Sequence, residues 1–146
     1  MEPEDLDEAL RIIGLHDTDD REAASAWFSE ERTGYVALVG VDEGEGRLVG
    51  LTGYAADAGE GQDVHWLGWT YVNPWCQRRG IGQALLDEVI RGVRAAGGRK
   101  LFLETSSLGK YDPAVAFYRR NGFAEEGRLL DFYAPGEHKL LMGRAL

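Results

Sequence analysis

The stretch that decides the fold of this 146-residue chain is Trp69-Thr70-Tyr71-Val72-Asn73-Pro74-Trp75-Cys76-Gln77-Arg78-Arg79-Gly80-Ile81-Gly82. Residues 69–72 are β-branched or aromatic and end at Asn73-Pro74, which predicts a strand followed by a turn. After Gly82, apolar residues recur at helical spacing until the pair Gly97-Gly98. The sequence therefore predicts a strand, a glycine-bearing loop and a helix in direct succession.

A glycine-bearing loop at the start of a helix is suited to binding phosphate. Backbone N–H groups in the first helical turn have no partner within the helix and lie at the positive end of its dipole. Gly80 and Gly82 let the backbone approach a ligand, while Arg78 and Arg79 add positive charge. A tight turn before a surface helix is the simpler alternative. The Walker motif is absent, and a dinucleotide fingerprint lacks its third glycine, although Glu104 lies near the distance of its acidic residue.

Two segments resemble one known family. Residues 72–82 resemble the acyl-CoA pyrophosphate loop of the GCN5-related N-acetyltransferases (GNAT family), whose signature is Gln/Arg-x-x-Gly-x-Gly/Ala. Residues 114–123, Ala-Val-Ala-Phe-Tyr-Arg-Arg-Asn-Gly-Phe, are similar to the family's late helix, Ala-x-x-x-Tyr followed by Gly-Phe. The resemblance covers roughly residues 34–146. It implies transfer of an acetyl group from acetyl-CoA to a primary amine, of a small molecule or a protein N-terminus, by direct attack. A catalytically silent acyl-CoA-binding or regulatory module is the alternative.

Further helices and strands follow from periodicity. Residues 4–14 carry apolar side chains at helical spacing, and Asp20 is the predicted cap of a second helix that carries Ala23, Ala26 and Trp27. Strands are predicted over residues 35–41, 47–54, 63–72, 100–105, 123–132 and 138–144.

These elements predict a single α/β domain over residues 1–146. The strand at 64–72, the phosphate-loop helix and the strand at 100–105 form a β-α-β unit, whose strands are parallel. The other strands make the sheet mixed and mostly antiparallel, with helices on both faces, as the resemblance also implies. The first strand of the family is expected to be short or absent, because the chain begins almost at once with a helix.

The resemblance also implies a set of cofactor-binding residues. Backbone groups of the strand before the loop bind pantetheine and the acyl oxygen in the family, and the loop binds pyrophosphate. Asp112, followed by Pro113, fits the N-cap of the late helix. Tyr111 replaces an asparagine common in relatives, and residues 108–110 lengthen the preceding loop. The implied residues are Thr70, Tyr71, Val72, Gln77, Arg78, Arg79, Gly80, Ile81, Gly82, Gln83 and Asp112.

Tyr118 is the candidate general acid. A phenol has a pKa of about 10 and a thiol one of about 8.5, so tyrosine stays protonated at neutral pH and can protonate the departing sulfur. The alternative is a core aromatic residue, because Ala114, Phe117 and Tyr118 share one helical face. The resemblance favours the catalytic interpretation.

Glu104 is the first candidate for the general base. It matches the base position in relatives that acetylate protein N-termini, and it shares a strand face with Phe102 and Ser106. A structural carboxylate is the equal alternative. Other carboxylates or imidazoles near strand ends remain candidates: Asp63, His65, Asp131 and Glu137.

Two other groups of residues have less specific interpretations. Cys76 is rejected as a nucleophile, because no histidine has the required spacing and direct attack needs no covalent enzyme intermediate. The aromatic residues Trp66, Trp69, Tyr71 and Trp75 either line an acceptor cleft or pack in the core. Three scattered histidines and one cysteine predict neither a metal site nor an internal disulfide.

The distribution of charge limits the partners. The net charge of −9 disfavours nucleic acid. Residues 1–73 carry −13 and residues 74–146 carry +4, so coenzyme A phosphates are expected on the basic half and a cationic amine near the acidic half. An acidic surface that maintains solubility or adapts to salt is the alternative. The acidic N-terminus and the lack of a long apolar run predict a cytoplasmic protein without a membrane partner. The sequence leaves the oligomeric state open between monomer and homodimer.

Overall fold

Six strands form one sheet in the structure, a computed structural model that describes residues 1–30 and 34–146. Short 3-10 turns lie at Pro3–Asp5, Pro74–Cys76 and Gly109–Tyr111. The helices are α1 (Leu6–Gly14), α2 (Thr18–Ser29), α3 (Ile81–Ala95) and α4 (Asp112–Arg120). The strands are β1 (Tyr35–Asp42), β2 (Arg47–Ala56), β3 (Val64–Val72), β4 (Lys100–Ser106), β5 (Ala124–Ala134) and β6 (Glu137–Ala145).

The sheet has the order β1-β2-β3-β4-β6-β5 and a single parallel pair, β3 with β4. The neighbouring pairs β1–β2, β2–β3, β4–β6 and β5–β6 are antiparallel. Helix α3 connects the two parallel strands, as a crossover connection must. The predicted mixed sheet with a central β-α-β unit is therefore confirmed. Within the described residues, no strand precedes β1, which agrees with the expected shortening at the start of the fold.

Helices cover both faces of the sheet and form two separate cores. Helices α3 and α4 pack on one face, where Leu86, Val89, Leu101 and Met142 are almost fully buried. Helices α1 and α2 pack on the other face, in a core that includes Leu51. Two neighbouring residues of β2 face opposite sides of the sheet. Leu51 faces the α1–α2 core, whereas Gly50 faces α3, because a Cβ built on Gly50 would lie 3.1 Å from Leu85 Cδ1. The first face therefore supports the phosphate-loop helix.

The N-terminus of α2 differs from the prediction. Asp17, and not Asp20, is the cap, since its carboxylate accepts hydrogen bonds from the N–H groups of Asp19 at 2.8 Å and Asp20 at 3.2 Å. Asp17 has extended backbone angles (φ −157°, ψ 128°), as a cap requires, whereas Asp20 lies within the first turn. The side chain of Asp20 is thereby free to contact another element.

The prediction of Asp112 as an N-cap is also wrong. Asp112 has helical angles (φ −55°, ψ −39°) and is the first residue of α4, and Tyr111 occupies the cap position without a side-chain cap bond. The 3-10 turn at Gly109–Tyr111 leads directly into the helix, so Asp112 already belongs to a continuous helical path. Pro113 does lie in the first turn, where its missing N–H costs nothing.

Across the described ranges, no helix has both the length and the apolar character needed to span a membrane.

The first testable prediction concerns Asp17, whose Oδ2 also lies 2.8 Å from Nζ of Lys110. Asp17→Ala removes the cap and the ion pair, and we expect it to lower the free energy of unfolding by about 1 kcal/mol. Asp17→Asn keeps a capping oxygen, so this variant should lose less unfolding free energy than Asp17→Ala. Urea unfolding followed by circular dichroism measures both variants.

The same residue gives a pH dependence. Lys110, and then the backbone N–H groups of Asp20 and Asp19, hold the pKa of Asp17 below its ordinary value of 3.8. A carboxylate with a lowered pKa stabilises the fold above its unfolded-state pKa, and this contribution is lost as the pH falls through the folded-state pKa. The unchanged protein and Asp17→Asn should differ in unfolding free energy by a constant amount above about pH 5, and this difference should shrink at lower pH. A difference that stays constant down to pH 3.8 and below would contradict this account.

Candidate active site

The parallel strands β3 and β4 separate along their length. Their register pairs are Val64 with Lys100, His65 with Leu101 and Trp66 with Phe102, and the described residues contain no pair beyond these. Residues 67–72 continue to pair with β2 on their other edge. Backbone groups of β3 that face β4 beyond Trp66 therefore lack a strand partner, and such groups require another hydrogen-bonding partner. We call the space between residues 67–72 and 103–106 the strand gap.

A β-bulge lies at the level where the strands separate. Between the pairs Leu51–Tyr71 and Gly53–Gly68, two residues of β3, Trp69 and Thr70, face the single residue Thr52 of β2. Trp69 has a φ of 50°, which is rare for a residue with a large side chain. Such an extra residue bends a strand and changes which side chains face each side of the sheet.

The sequence analysis missed this bulge. Its signal was Gly68, an isolated glycine inside a strand pattern. Because of the extra residue, Trp69 and Tyr71 pack against the α1–α2 core, whereas the Thr70 hydroxyl lies 2.8 Å from the Thr52 hydroxyl. The bulge therefore places aromatic side chains of β3 on the α1–α2 face of the sheet and the Thr70 hydroxyl beside that of Thr52.

The glycine-bearing loop exposes the N-terminus of α3 at the end of β3. Gly80 is the residue before the helix and has a φ of 78°, in the left-handed region. Ala84 is the first residue of α3 to use its N–H in the helix, donating to the Gly80 carbonyl at 3.0 Å. The N–H groups of Ile81, Gly82 and Gln83 precede it and are the orphan donors of the first turn. A Cβ built on Gly80 would meet nothing within 4 Å, so the space above the loop is open.

The side chains of the loop are exposed and partly engaged. Nη2 of Arg79 lies 3.5 Å from Oδ2 of Asp42 on β1. Gln83 donates through Nε2 to Asp87 at 2.9 Å and to Asn121 at 2.8 Å. Gln77 and Arg78 are exposed, and the described part of the chain offers Arg78 no ion pair. An anion at this loop would therefore find one free guanidinium group beside the helix N-terminus.

Tyr118 connects the α3–α4 core to the strand gap. Its side chain is 8% exposed, and its ring packs against Phe117 and Phe123 at centroid distances of 5.3 and 5.5 Å. Burial raises the pKa of Tyr118, while a hydrogen bond with the Thr70 side chain opposes that rise. The phenol is thus kept protonated, and its oxygen lies at the β3 wall of the gap. The burial of the ring agrees with the packing interpretation, and a catalytic role for the hydroxyl stays a prediction.

Glu104 lies on β4, two residues beyond the last pair with β3. Its Oε2 is 2.9 Å from Nζ of Lys139, which also lies 3.9 Å from the ring centroid of Phe132. The Glu104 side chain is 46% exposed and that of Lys139 is 14% exposed. The half-exposed carboxylate is therefore already paired with an ammonium group from β6, the neighbour of β4 on its other edge.

The alternative bases are distributed over the molecule. Asp63 and His65 lie at the paired end of β3, and Nδ1 of the buried His65 has no hydrogen-bond partner in the described structure. Asp131 accepts a hydrogen bond from the N–H of Gly136 at 2.8 Å, and Glu137 accepts one from Ser106 Oγ at 2.6 Å. Of these four side chains, only that of Glu137 contacts the unpaired part of β4.

Residues of the α1–α2 connection and of the first turn of α2 contact β3 and the turn before α4. His16 donates through Nε2 to the Val72 carbonyl at 2.7 Å, and the Tyr71 hydroxyl donates to Oδ2 of Asp20 at 2.7 Å. Burial, and then the hydrogen bond to Asp20, raise the pKa of Tyr71. The Asp17–Lys110 ion pair links the same connection to the turn before α4. The sequence analysis did not select His16, Asp17 or Lys110, because these contacts join segments remote in sequence.

The tryptophans divide between packing and exposure. Trp66 packs against Phe102 at a centroid distance of 5.2 Å and donates its indole N–H to Asp57 at 2.8 Å. Trp69 packs against Trp27 at 5.9 Å. Trp75, immediately before the glycine-bearing loop, is 82% exposed. Cys76 is a partly buried free thiol.

Comparisons with known proteins agree with this geometry. The model of the acetyltransferase (GNAT) family matches residues 4–123. A protein from Desulfovibrio desulfuricans described as a GNAT-family acetyltransferase is 31% identical, with 99% of this chain and 94% of that chain covered and a TM-score of 0.89. No curated protein matches the chain.

Two more distant solved structures share the fold. An aminoglycoside 6′-N-acetyltransferase in complex with coenzyme A is 17% identical, with coverage of 99% and 92% and a TM-score of 0.79. A ribosomal-protein-alanine N-acetyltransferase from Brucella melitensis is 24% identical, with coverage of 100% and 97% and a TM-score of 0.78. At these identities the likeness establishes the fold alone.

The second testable prediction concerns the backbone of the loop. Gly80→Ala places a Cβ on a left-handed residue, and we expect a loss of about 1–2 kcal/mol in unfolding free energy. Gly80→Asn should lose less, because asparagine tolerates this conformation. Gly82→Ala is the matched control, since its Cβ would make ordinary contacts at 3.7 Å with Val72 and 3.9 Å with Phe117. Urea unfolding ranks the three variants, and equal losses for all three would contradict the role of φ at Gly80.

Proposed function

Because the chain belongs to the GNAT acetyltransferase family, we propose that this acetyltransferase moves the acetyl group of acetyl-CoA directly onto a primary amine. The observation that carries the proposal is the strand gap, which ends beside the exposed N-terminus of α3. An extended acyl-bearing arm requires hydrogen-bonding groups along its length, and its pyrophosphate requires N–H donors and positive charge. The gap and the loop provide these in one continuous path.

In this proposal, the loop binds the pyrophosphate of acetyl-CoA. The N–H groups of Ile81, Gly82 and Gln83 donate to phosphate oxygens, and Gly80 leaves the space for them open. Gln77, Arg78 and Arg79 add polar contacts and charge from the rim of the site. Asp112 is still proposed to contact the cofactor. It would do so from the first turn of α4 and not as the helix cap.

The β3 wall holds the reacting acyl group. Thr70, Tyr71 and Val72 form this wall, and those of their backbone N–H groups that are not directed toward β2 would stabilise the negative charge that develops on the acyl oxygen. Donors fixed by a sheet need no reorganisation during the reaction. His16 supports this wall through the Val72 carbonyl, and Asp20 supports it through the Tyr71 hydroxyl.

Tyr118 and Glu104 are the proposed acid and base. Tyr118 stays protonated because of burial, so its hydroxyl can donate a proton to the departing thiolate. The Glu104 carboxylate, on the opposite wall, accepts a proton from the attacking amine. An α-amine with a pKa near 8 needs less assistance than a lysine-like amine near 10.4. The N–C bond forms as the C–S bond breaks, and no covalent enzyme intermediate is needed.

The acceptor is proposed to be a cationic primary amine, of a small molecule or of a protein N-terminus. Asp17 and Asp20 of the acidic half border the strand gap, together with Glu104 and Glu137 from the other half. Carboxylates at the approach to a site raise the local concentration of cations. Solved structures of the same fold include acetyltransferases named for an aminoglycoside and for a ribosomal-protein alanine.

We further propose that residues 1–146 form one domain, which works in the cytoplasm as a monomer or homodimer without a metal. Its net charge of −9 argues against a nucleic acid partner. Acetyl-CoA and the amine are the only partners that the proposed reaction requires.

The third testable prediction is a selective response to acetyl-CoA. At about 100 times its dissociation constant, a ligand of the folded state should stabilise the protein by about 2.7 kcal/mol, seen as a higher melting temperature. ATP and NAD serve as controls. A screen of primary amines then measures thiol release from acetyl-CoA. Binding without release for any amine would favour a silent acyl-CoA-binding module, and no binding by folded protein would overturn the loop assignment.

The fourth testable prediction separates binding from chemistry. Tyr118→Phe removes only the hydroxyl, so acetyl-CoA affinity should be kept while kcat falls by about 10²-fold or more, as expected for loss of a general acid. Tyr54→Phe is the matched control, because it too removes one tyrosine hydroxyl, and the Tyr54 hydroxyl lies beside Gly92 in the C-terminal half of α3. Equal kcat values for both variants would remove Tyr118 from the mechanism.

A further inference from the structure

Lys139 is held in the way that an enzyme would hold an amine substrate. Its Nζ lies 2.9 Å from the Glu104 carboxylate and 3.9 Å above the centre of the Phe132 ring. The Tyr133 ring centre is 5.7 Å away. A carboxylate and aromatic faces together form a binding site for an ammonium group. The side chain is 14% exposed, so most of its surface is covered by neighbouring residues.

Glu104, which holds this ammonium group, lies on the strand that forms the β4 wall of the gap. If the register of β3 and β4 continued beyond Trp66–Phe102, Glu104 would face Gly68, next to the bulge. Lys139 is opposite Ser106 in the β4–β6 pairing, so it extends from the strand that supports the β4 wall. Its four-carbon stem lets the amine move without any change in the backbone.

Tyr133, the second aromatic residue beside Lys139, is partly buried among carboxylates, and burial raises its pKa, to which the charge of Glu104 adds. Asp20, at the start of α2, accepts the hydrogen bond of Tyr71, whose backbone belongs to the β3 wall.

We propose that Lys139 is an internal acceptor, so that the enzyme acetylates its own Lys139 when no external amine is present. The inference rests on the proposed function of the strand gap. The Lys139 ammonium first gives a proton to the Glu104 carboxylate or to water. The neutral amine then attacks the thioester carbon, the C–N bond forms and the C–S bond breaks. The second amine proton ends on the thiolate through Tyr118, giving an acetyl-lysine and free coenzyme A.

The chain contains its own controls, because its only other lysines are Lys100 and Lys110. Lys110 pairs with Asp17, and its side chain is 55% exposed. Lys100 pairs with Glu126 at the closed end of β4 and is 26% exposed. Spontaneous acetylation by a thioester follows exposure and would label Lys110 most and Lys139 least. Acetylation by the site predicts the reverse order.

The fifth testable prediction uses the folded full chain with isotope-labelled acetyl-CoA and no amine. We expect Lys139 to be labelled at least about tenfold faster than Lys110, because the site holds the amine near the thioester. Trypsin does not cleave after acetyl-lysine, so labelling appears as the peptide 129–144 in place of 129–139. The initial rate per molecule should be independent of protein concentration. Labelling ordered by exposure would overturn the inference.

Variants test whether the site performs this step. Glu104→Gln and Tyr118→Phe should slow the labelling of Lys139 and leave the slow labelling of Lys110 unchanged. In urea, the preference for Lys139 should disappear. If amines are acetylated while Lys139 stays unlabelled, only this inference fails. If acetyl-CoA does not bind, as read by the thermal shift, the proposed function fails as well.

Discussion

The separation of two parallel strands is the constraint on which the rest of the structure depends. A sheet normally satisfies its backbone donors and acceptors with a neighbouring strand. Here β3 keeps its partner on one edge, but the pairing with β4 stops after Trp66 and Phe102. The bulge at Trp69 and Thr70 bends β3 at this level. An opening in the middle of a sheet is therefore created while both strands remain fixed at their other end.

The two layers of helices have different tasks around this opening. On one face, α3 presents its N-terminus at the end of β3, and α4 brings Tyr118 to the Thr70 hydroxyl. On the other face, the α1–α2 connection holds β3 through the Val72 carbonyl and the Tyr71 hydroxyl. Each face has an apolar core, but the first also carries the anion site, whereas the second brings carboxylates to the opening. The acetyl donor and the amine are thereby expected to approach from different sides.

Local patterns predicted most of the fold. Alternation and helical spacing located the strands to within about two residues, and the helices equally well except for the start of α2, since burial of one face imposes those periods. The glycines and arginines of residues 77–82 identified the loop, because a left-handed φ at Gly80 and an open helix N-terminus are local properties. Tyr118 was selected through its family motif, and its burial agrees with both interpretations of that residue.

Interactions between remote segments were not predictable in the same way. Asp17, Asp19 and Asp20 were all suitable caps by residue type, and the extended backbone at Asp17 decided between them. The 3-10 turn before α4 moved Asp112 into the helix. The partnership of Glu104 with Lys139 depends on the pairing of β4 with β6, which no short motif encodes.

The Asp17–Lys110 contact has a consequence for how the protein folds. It joins residues 93 positions apart, and the Tyr71–Asp20 bond joins residues 51 apart. Closing such long loops costs chain entropy before the contacts repay it, and non-local contacts of this kind slow folding. The two walls of the opening come from residues 67–72 and 103–106, so its formation likewise requires segments that are far apart in the chain.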